Sequence, residues 1–432
     1  MPLVPILIIL SPLFFGSVHT PAWLSFSALI IFSGIYSIKK APLFPPIQTL
    51  GLWCLSIALY GSLQFCWGMI FKQPLPIEGI SLGVPNQVQM ESAIFSFSIA
   101  AVLFFILART DNFLKLKAYI IYSGIIVSLI ALSHWLNDTG RLFWIFEPST
   151  VAASNRARWP FVNPNHLGAF LIFPFFFVLE EFFLKLTKLK ESVSKDLLKS
   201  HSSKLSIYLA SPLLPSLLII ASKASLLSVT ILASLSRGVV VPLSILSLIG
   251  VIHFSFSTGA RLKSFSLWLA MIFALATVGA LYEQKEILEA RLVYGLIAAV
   301  DDLRWLMIKE SLPLLYGSPI FGVGLGLWEE RFFSVASSTF VGLRPEYLHS
   351  DTLQLIIETG LIGSLITTFF FIRVYKDSFL FKGKTIFPEL AVISFLLSST
   401  FDFPLRIPAI SWIGIASISV IIGNAVLRKR SG

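Results

Sequence analysis

Long apolar runs separated by short polar segments dominate this chain. Stretches of roughly 18 or more largely apolar residues recur from end to end, and as a helix each is long enough to cross the ~30 Å hydrocarbon core of a bilayer. The pattern predicts an all-α polytopic membrane protein, with residues 1–432 as a single integral membrane domain. We place twelve transmembrane helices at 3–18, 22–38, 47–71, 91–108, 118–136, 164–184, 205–235, 238–256, 264–282, 352–373, 387–402 and 407–427.

The seventh predicted span, 205–235, is longer than a bilayer requires. It contains Pro212, Pro215 and Lys223, and proline removes a helical hydrogen bond and clashes with the preceding turn. We therefore expect this segment to be kinked or broken. Lys223 is the one cation in the middle of a predicted span, and the sequence names no partner for it.

Composition agrees with the membrane class. Hydrophobic residues make up 56% of the chain and charged residues only 13%, whereas soluble domains carry about 25% charged residues. A soluble fold could not bury so many long apolar runs.

The distribution of positive charge sets the orientation. If both termini are cytoplasmic, the cytoplasmic segments hold 20 Lys and Arg and the outer segments hold 12, as the positive-inside rule requires. Residues 137–163 then form a smaller periplasmic loop and 283–351 a large one. The large loop has helical composition at Gln284–Ala299 and at Asp301–Tyr316, so we expect it to be helical.

Arginine is concentrated on the predicted outer side. The cytoplasmic set is 15 Lys and 5 Arg, and the outer set is 3 Lys and 9 Arg. The planar guanidinium binds phosphate oxygens in pairs, so this bias indicates a phosphate or pyrophosphate ligand at the outer face. The alternative is that the arginines pair with outer carboxylates. They are Arg141, Arg156, Arg158, Arg237, Arg291, Arg304, Arg331, Arg344 and Arg406.

The most informative local segment runs from His349 to Gly360. Asp351 and Gln354 have the spacing of a capping box, which predicts that a helix starts near Asp351 and that His349 lies just before it. A neutral imidazole there could accept a proton from a sugar hydroxyl. The alternative is a loop histidine with a structural hydrogen bond.

Three further arginines are candidate ligand-binding residues. Arg237, in Ser236-Arg237-Gly238, interrupts an apolar stretch and is costly near lipid without a partner or function. It could instead extend to the interface as a snorkelling arginine, and Gly238 would allow close backbone approach. Arg304 could bind a ligand or pair with Asp301, and Arg291 is a similar, weaker candidate.

The segment Arg156 to His166 places many hydrogen-bond donors before a span. Arg158 and Asn165 are candidate substrate-binding residues, although Asn163-Pro164-Asn165 also suits a helix cap. Trp159 has the character of an aromatic-belt anchor.

Two turn-like segments have weaker signals. Gly322-Val323-Gly324-Leu325-Gly326 could bring backbone N–H groups onto an anion, but a flexible turn is the alternative that we prefer. The segment Asp402 to Arg406 is typical of a tight, ion-paired outer turn. The sequence contains no His/Cys/Asp cluster with metal-ligand spacing and no Walker or Gly-x-Ser-x-Gly motif, so we predict chemistry without a metal or cofactor.

Taken in order, these segments resemble the O-antigen ligase/O-antigen polymerase family of bacterial membrane glycosyltransferases. The resemblance extends from about residue 150 to the C-terminus, and the N-terminal third resembles the family mainly in its spans. Ser350 follows His349 where the family commonly has Asn. The matching pieces are Phe161 to His166, Ser236-Arg237-Gly238, Arg304-Trp305, Pro319 to Gly326, and His349 to Gly360 followed by Leu361-Ile362-Gly363.

The resemblance implies a GT-C-like layout in the bacterial inner membrane, with the active site facing the periplasm. It implies a role in lipopolysaccharide biosynthesis, with an undecaprenyl-pyrophosphate-linked glycan as donor. Residue by residue, it implies that Arg237 and Arg304 bind the pyrophosphate and that His349 activates the acceptor hydroxyl. The expected partners are the donor, a lipid or glycan acceptor and membrane lipids, and no nucleic acid.

The function that we expect is that of a ligase, which would move a finished glycan onto lipid A-core or a similar acceptor. Three other functions stay open at this point. A polymerase of the same family would instead extend a repeat-unit glycan. A polyprenyl-lipid flippase or other transporter is a different class, typically with ionisable groups near the bilayer midplane. A non-catalytic membrane partner is the last alternative.

Overall fold

The computed structural model describes residues 3–37, 43–71, 87–110, 112–137, 141, 143, 156–197, 209–257, 303–340, 343, 345–378, 380–381 and 385–431. Within these residues the chain forms thirteen α-helices. They are α1 (Leu3–Leu10), α2 (Thr20–Ser37), α3 (Pro45–Phe71), α4 (Gln87–Leu107), α5 (Phe113–Leu136), α6 (Pro164–Leu197), α7 (Leu214–Ala233), α8 (Arg237–Ser257), α9 (Leu303–Gly317), α10 (Trp328–Phe332), α11 (Asp351–Ser378), α12 (Phe387–Phe401) and α13 (Pro408–Ser431).

Nine of the helices in the described part of the chain are long and apolar enough to cross a membrane, namely α2 to α8, α11 and α13. Leu3–Leu13 and Phe387–Phe401 are shorter apolar segments. Helices therefore lie in eleven of the twelve predicted spans, and the prediction at 264–282 lies outside the described residues. The prediction of an all-α polytopic membrane protein is confirmed.

The long seventh segment is broken, as its prolines predicted. The helix α7 begins at Leu214 with Pro215 in its first turn, and Ser211, Pro212 and Leu213 precede it outside the helix. Lys223 has a partner that the sequence did not reveal, because its Nζ lies 5.5 Å from the centre of the Tyr122 ring.

The helices α6 and α13 form the centre of the bundle. The run Phe175, Phe176 and Phe177 on α6 is fully buried, and α6 packs against α5, α7, α8, α12 and α13. Since lipid is as apolar as these side chains, close packing rather than removal from water holds such helices together. The three phenylalanines of this run thus serve the helix contacts of this core.

A second, smaller core lies beside the bundle. It is built from α9, α10 and the first turns of α11, and its members include Leu314, Trp328, Phe332 and Ile357. The first turns of α11 therefore pack with the segment that precedes them in sequence.

The helix α11 is interrupted at Gly360. This residue has φ 62° and ψ −158°, a conformation open essentially to glycine alone. The break leaves backbone groups on both sides without helical partners, and the glycine-rich segment 318–327 pairs with them. The four hydrogen bonds are Val323 N to Ile357 O (3.0 Å), Gly324 N to Glu358 O (3.0 Å), Leu361 N to Pro319 O (2.8 Å) and Ile362 N to Ile320 O (3.2 Å).

The helix α3 completes this arrangement through the buried side chain of Gln64. Its Nε2 donates to the carbonyl oxygens of Phe321 (2.8 Å) and Glu358 (3.1 Å), and its Oε1 accepts from the Leu325 amide (3.0 Å). Gly322 to Leu325 are buried. The expectation of a flexible turn is therefore wrong, because the segment is a buried backbone partner of the broken helix and the amides of Gly322 to Leu325 all donate hydrogen bonds.

Candidate functional site

Several helix ends meet at one end of the bundle. The Asn165 side chain, on the first turn of α6, donates to Asp402 Oδ2 at 2.8 Å, just after α12. The amide of Asp351, the first residue of α11, donates to the Asp402 carbonyl at 3.2 Å. The Arg156 Nε donates to the carbonyl of Ser234, at the end of α7, at 2.7 Å. The chain thus brings together residues that are far apart in sequence, and Asp402 lies at their centre.

His349 faces this carboxylate. Its Nδ1 lies 3.3 Å from Asp402 Oδ1, and its side chain is partly exposed. His349 has φ 57°, the left-handed region that few residues other than glycine adopt. Backbone strain of this kind persists where the surroundings fix it, often at functional sites.

The next residues explain how His349 is held. The helix α11 begins at Asp351, as predicted, but its cap is Ser350, whose Oγ accepts from the Leu353 amide at 3.3 Å. The Asp351 side chain turns away and accepts from the Leu405 amide at 2.8 Å. Ser350, the departure from the family pattern, is therefore a buried cap that fixes the backbone next to His349.

The charge state of Asp402 determines which His349 nitrogen is available. Burial alone would raise the pKa of the Asp402 carboxyl, but the His349 hydrogen bond, together with His166 and Arg304, outweighs it and lowers the pKa to about 2. An ionised carboxylate can only accept hydrogen bonds, so the His349 Nδ1 donates. A neutral His349 then has its lone pair on Nε2.

The polar residues Asn163 and Asn165, at the start of α6, have different roles. Asn163 is the cap, since its Oδ1 accepts from the Asn165 amide at 2.9 Å and its carbonyl accepts from the amides of His166 and Leu167. Asn165 instead connects Asp402 to Arg156. Its side-chain nitrogen donates to Asp402, and its Oδ1 accepts from the Arg156 Nη2 at 2.8 Å.

Arg158 packs against an aromatic neighbour. Its guanidinium stacks on Trp159 at 5.0 Å, and burial lowers the pKa of Arg158. Trp159 is only 4% exposed, so the prediction that it anchors the chain in an aromatic belt is wrong. The neighbouring Arg156 contacts Asn165 of the Asp402 cluster.

The other predicted arginines differ in their surroundings. Arg304, on α9, is close enough to Asp402 to help lower its pKa. Arg237, the first residue of α8, is exposed, and the next residue, Gly238, faces Phe401 beside Asp402. A Cβ on Gly238 would lie 3.9 Å from Phe401, so the space beside this residue is not filled by the described part of the protein. Arg291 lies outside the described residues.

Arg406 is neutralised within the protein. Its Nη2 lies 3.2 Å from Glu358 Oε2 and its Nε 3.6 Å from Asp351 Oδ1, with both acids buried. Burial disfavours the guanidinium charge, but the two carboxylates outweigh it and raise the pKa of Arg406. The turn from Asp402 to Arg406 is tight and ion-paired, as predicted, although its two charges have separate partners.

The sequence pointed to His349 and Asn165 but not to the partners that orient them. The sequence analysis treated Asp402 only as one member of a turn and not as a site residue. Arg156 and His166 were visible only as part of a donor-rich segment. The signal that could have identified Asp402 is an acid at an outer helix end, in a chain with few acids, opposite a candidate base.

Comparisons with known proteins agree with the sequence resemblance. Residues 224–368 match the family model described as O-Antigen ligase, about a third of the chain. The match includes Arg237, Arg304 and His349, whereas Asn165 and Asp402 lie outside it. No curated protein matches the chain. The family match supports the O-antigen ligase/polymerase family, and with the apolar helices it indicates a multi-pass inner membrane protein of O-antigen ligase/polymerase-like function.

Proposed function

We propose that this protein transfers a glycan from undecaprenyl pyrophosphate to an acceptor hydroxyl at the periplasmic face of the membrane. The observation that carries the proposal is the pair His349 Nδ1 and Asp402 Oδ1 at 3.3 Å, which leaves the His349 Nε2 as the available base. An imidazole oriented by a buried carboxylate is a recurring arrangement in general-base catalysis.

In the proposed reaction, the His349 Nε2 takes the proton of the acceptor hydroxyl as its oxygen attacks the anomeric carbon of the donor sugar. A glycosidic C–O bond forms, and the bond from the same carbon to the pyrophosphate oxygen breaks. Undecaprenyl pyrophosphate leaves with the bonding electron pair. Asp402 stabilises the imidazolium that results.

The arginines supply the opposite charge. We assign Arg237 and Arg304 to the pyrophosphate, because guanidinium groups stabilise the negative charge that develops on the leaving group. Arg237 is exposed at a helix N-terminus, and none of the described residues pairs with its side chain. Arg158 and Arg291 remain predictions, and Asn165 acts in this scheme through Asp402.

We propose lipid A-core or a similar lipid as the acceptor, which makes the protein a ligase. A polymerase would use the same donor chemistry with a lipid-linked glycan as acceptor. The products therefore distinguish the two reactions.

The test uses purified protein in detergent with an undecaprenyl-pyrophosphate glycan and lipid A-core. The wild type should shift the lipid core to lower gel mobility. His349→Ala and Asp402→Asn should each lower the rate by about 100-fold or more, whereas Asp377→Asn, at an exposed acid on α11, should not. Longer lipid-linked chains without core transfer would identify a polymerase, and no change in either species would favour transport.

Metal independence is a separate prediction. Within the described part of the chain, no three His, Cys, Asp or Glu residues are grouped to hold a metal ion, but the prediction rests on the proposed roles of His349 and the arginines. Transfer should continue in EDTA at an unchanged rate. Loss of transfer that one divalent ion restores would contradict it.

A further inference from the structure

His166 carries a buried polar atom without a hydrogen-bond partner. The residue is 7% exposed, and its Nε2 makes no hydrogen bond to the described part of the protein. A buried nitrogen left in this state costs roughly 1–3 kcal/mol, and most such groups in folded proteins have a partner. The atom is therefore suited to a partner that the described part of the chain does not supply.

The surroundings of His166 place that atom at the proposed site. Asp402, His349 and Arg304 all lie close enough to act electrostatically on its imidazole. The rings of His166 and His349 both pack edge-to-face on Phe403, at 5.0 and 4.7 Å. The two imidazoles therefore contact the same aromatic ring, and one of them, His349, is the residue at which we place the acceptor hydroxyl.

A second buried histidine nitrogen offers a contrast. The Nδ1 of His253 also has no partner among the described residues. His253 lies sixteen residues beyond Arg237 on the same helix α8, about 24 Å along its axis. Among the described residues of the proposed site, none lies near that end of the helix, so His253 serves as a matched control.

We propose that His166 is a substrate-binding residue whose Nε2 hydrogen-bonds a sugar hydroxyl of the acceptor, next to the hydroxyl that His349 deprotonates. This inference rests on the proposed function. A hydroxyl can donate and accept, so it satisfies either tautomer of a neutral imidazole. A pyrophosphate oxygen only accepts, and the arginines already serve it. His166 would thus select acceptors with a second hydroxyl beside the reacting one.

The test compares His166→Phe, His166→Gln and His253→Phe in the transfer assay with lipid A-core. Phe keeps a ring against Phe403 but removes the polar atom, whereas the Gln amide reaches about as far as Nε2 and can still hydrogen-bond. We expect His166→Phe to raise the acceptor KM about tenfold, the loss of roughly one hydrogen bond, with kcat and the donor KM unchanged. His166→Gln should recover most of the affinity, and His253→Phe should match the wild type.

Acceptor binding without donor gives an independent readout. Titration of lipid A-core into each variant, followed by tryptophan fluorescence, should show the same tenfold loss for His166→Phe. An unchanged acceptor affinity, a changed donor KM, or a His166→Gln variant as weak as His166→Phe would overturn the inference. The His349→Ala variant tests the proposed function separately. If transfer survives in His349→Ala, the proposed function is contradicted. If transfer is lost in His349→Ala but His166→Phe binds the acceptor normally, only this inference is contradicted.

Discussion

At the scale of single residues, the arginines near Asp402 differ in whether the protein already neutralises them. Arg406 is held by two buried carboxylates, so it stabilises the turn and has little charge to offer a ligand. Arg237 is exposed at the start of α8. No described residue pairs with its side chain, and a guanidinium of this kind is suited to bind an anionic ligand.

Arg237→Lys should lower the transfer rate by at least about tenfold, because an ammonium group cannot bind two phosphate oxygens in parallel as the guanidinium does. Initial rates at saturating acceptor measure the effect. Arg373→Lys is the control, since Arg373 is exposed on α11 and pairs with Asp377. Near-normal rates for Arg237→Lys would contradict bidentate phosphate binding.

The low pKa of Asp402 has a consequence for stability. A carboxyl whose pKa is lower in the folded protein stabilises the fold above its unfolded pKa, and this contribution disappears as pH falls toward the folded value. With a folded pKa of about 2, the gap in melting temperature between wild type and Asp402→Asn should shrink as the pH falls from about 4 to 2. A gap that stays constant over this acid range would contradict the low pKa of Asp402.

The sequence predicted His349 because a histidine before a capping-box helix is a local pattern. It could not predict that Asp402 orients this histidine, since the two lie 53 positions apart. Asn163 and Asn165 show the same limit. Both suit a helix cap in the sequence, and only the packing against Asp402 separates the cap from the site residue.

At the scale of elements, the break in α11 controls where His349 lies. The turns from Asp351 to Gly360 pack with α9 and α10, and the segment 318–327 holds their backbone groups. A straight helix would carry its first turns elsewhere. The sequence predicted one span at 352–373, because an apolar run does not show an interruption, and only Gly360 itself could have suggested it.

Gly360→Ala should destabilise the protein by about 2 kcal/mol or more, since a side chain at this φ and ψ is strained. A Cβ there would also lie 2.5 Å from the Gly322 nitrogen and the Ile320 oxygen. Thermal unfolding in detergent measures the loss. Gly414→Ala is the control, because its Cβ would meet neighbours only at ordinary distances of 3.6 Å or more. Equal melting temperatures for the two variants would contradict the role of Gly360.

At the scale of the whole molecule, the spans were predictable because a bilayer demands long apolar runs whatever their partners. The second core was not, since helices in a polar-containing segment pack according to their tertiary contacts. The orientation of the bundle in the membrane still rests on the positive-inside rule.

That orientation can be measured by labelling with a membrane-impermeant maleimide. In a Cys66→Ser background, Glu346→Cys should react in intact spheroplasts, and Asp377→Cys should react only after lysis. Both positions are exposed, and the remaining Cys54 is buried. Reaction at Asp377→Cys before lysis would reverse the assigned sides.

The pairing between 318–327 and the broken helix also bears on biogenesis. In lipid, an unpaired backbone group costs several kcal/mol, so the broken form of α11 needs the segment 318–327 beside it. That partner is synthesised earlier, because residues 318–327 precede α11 in the chain. The order of translation therefore provides the partner before the broken helix needs it.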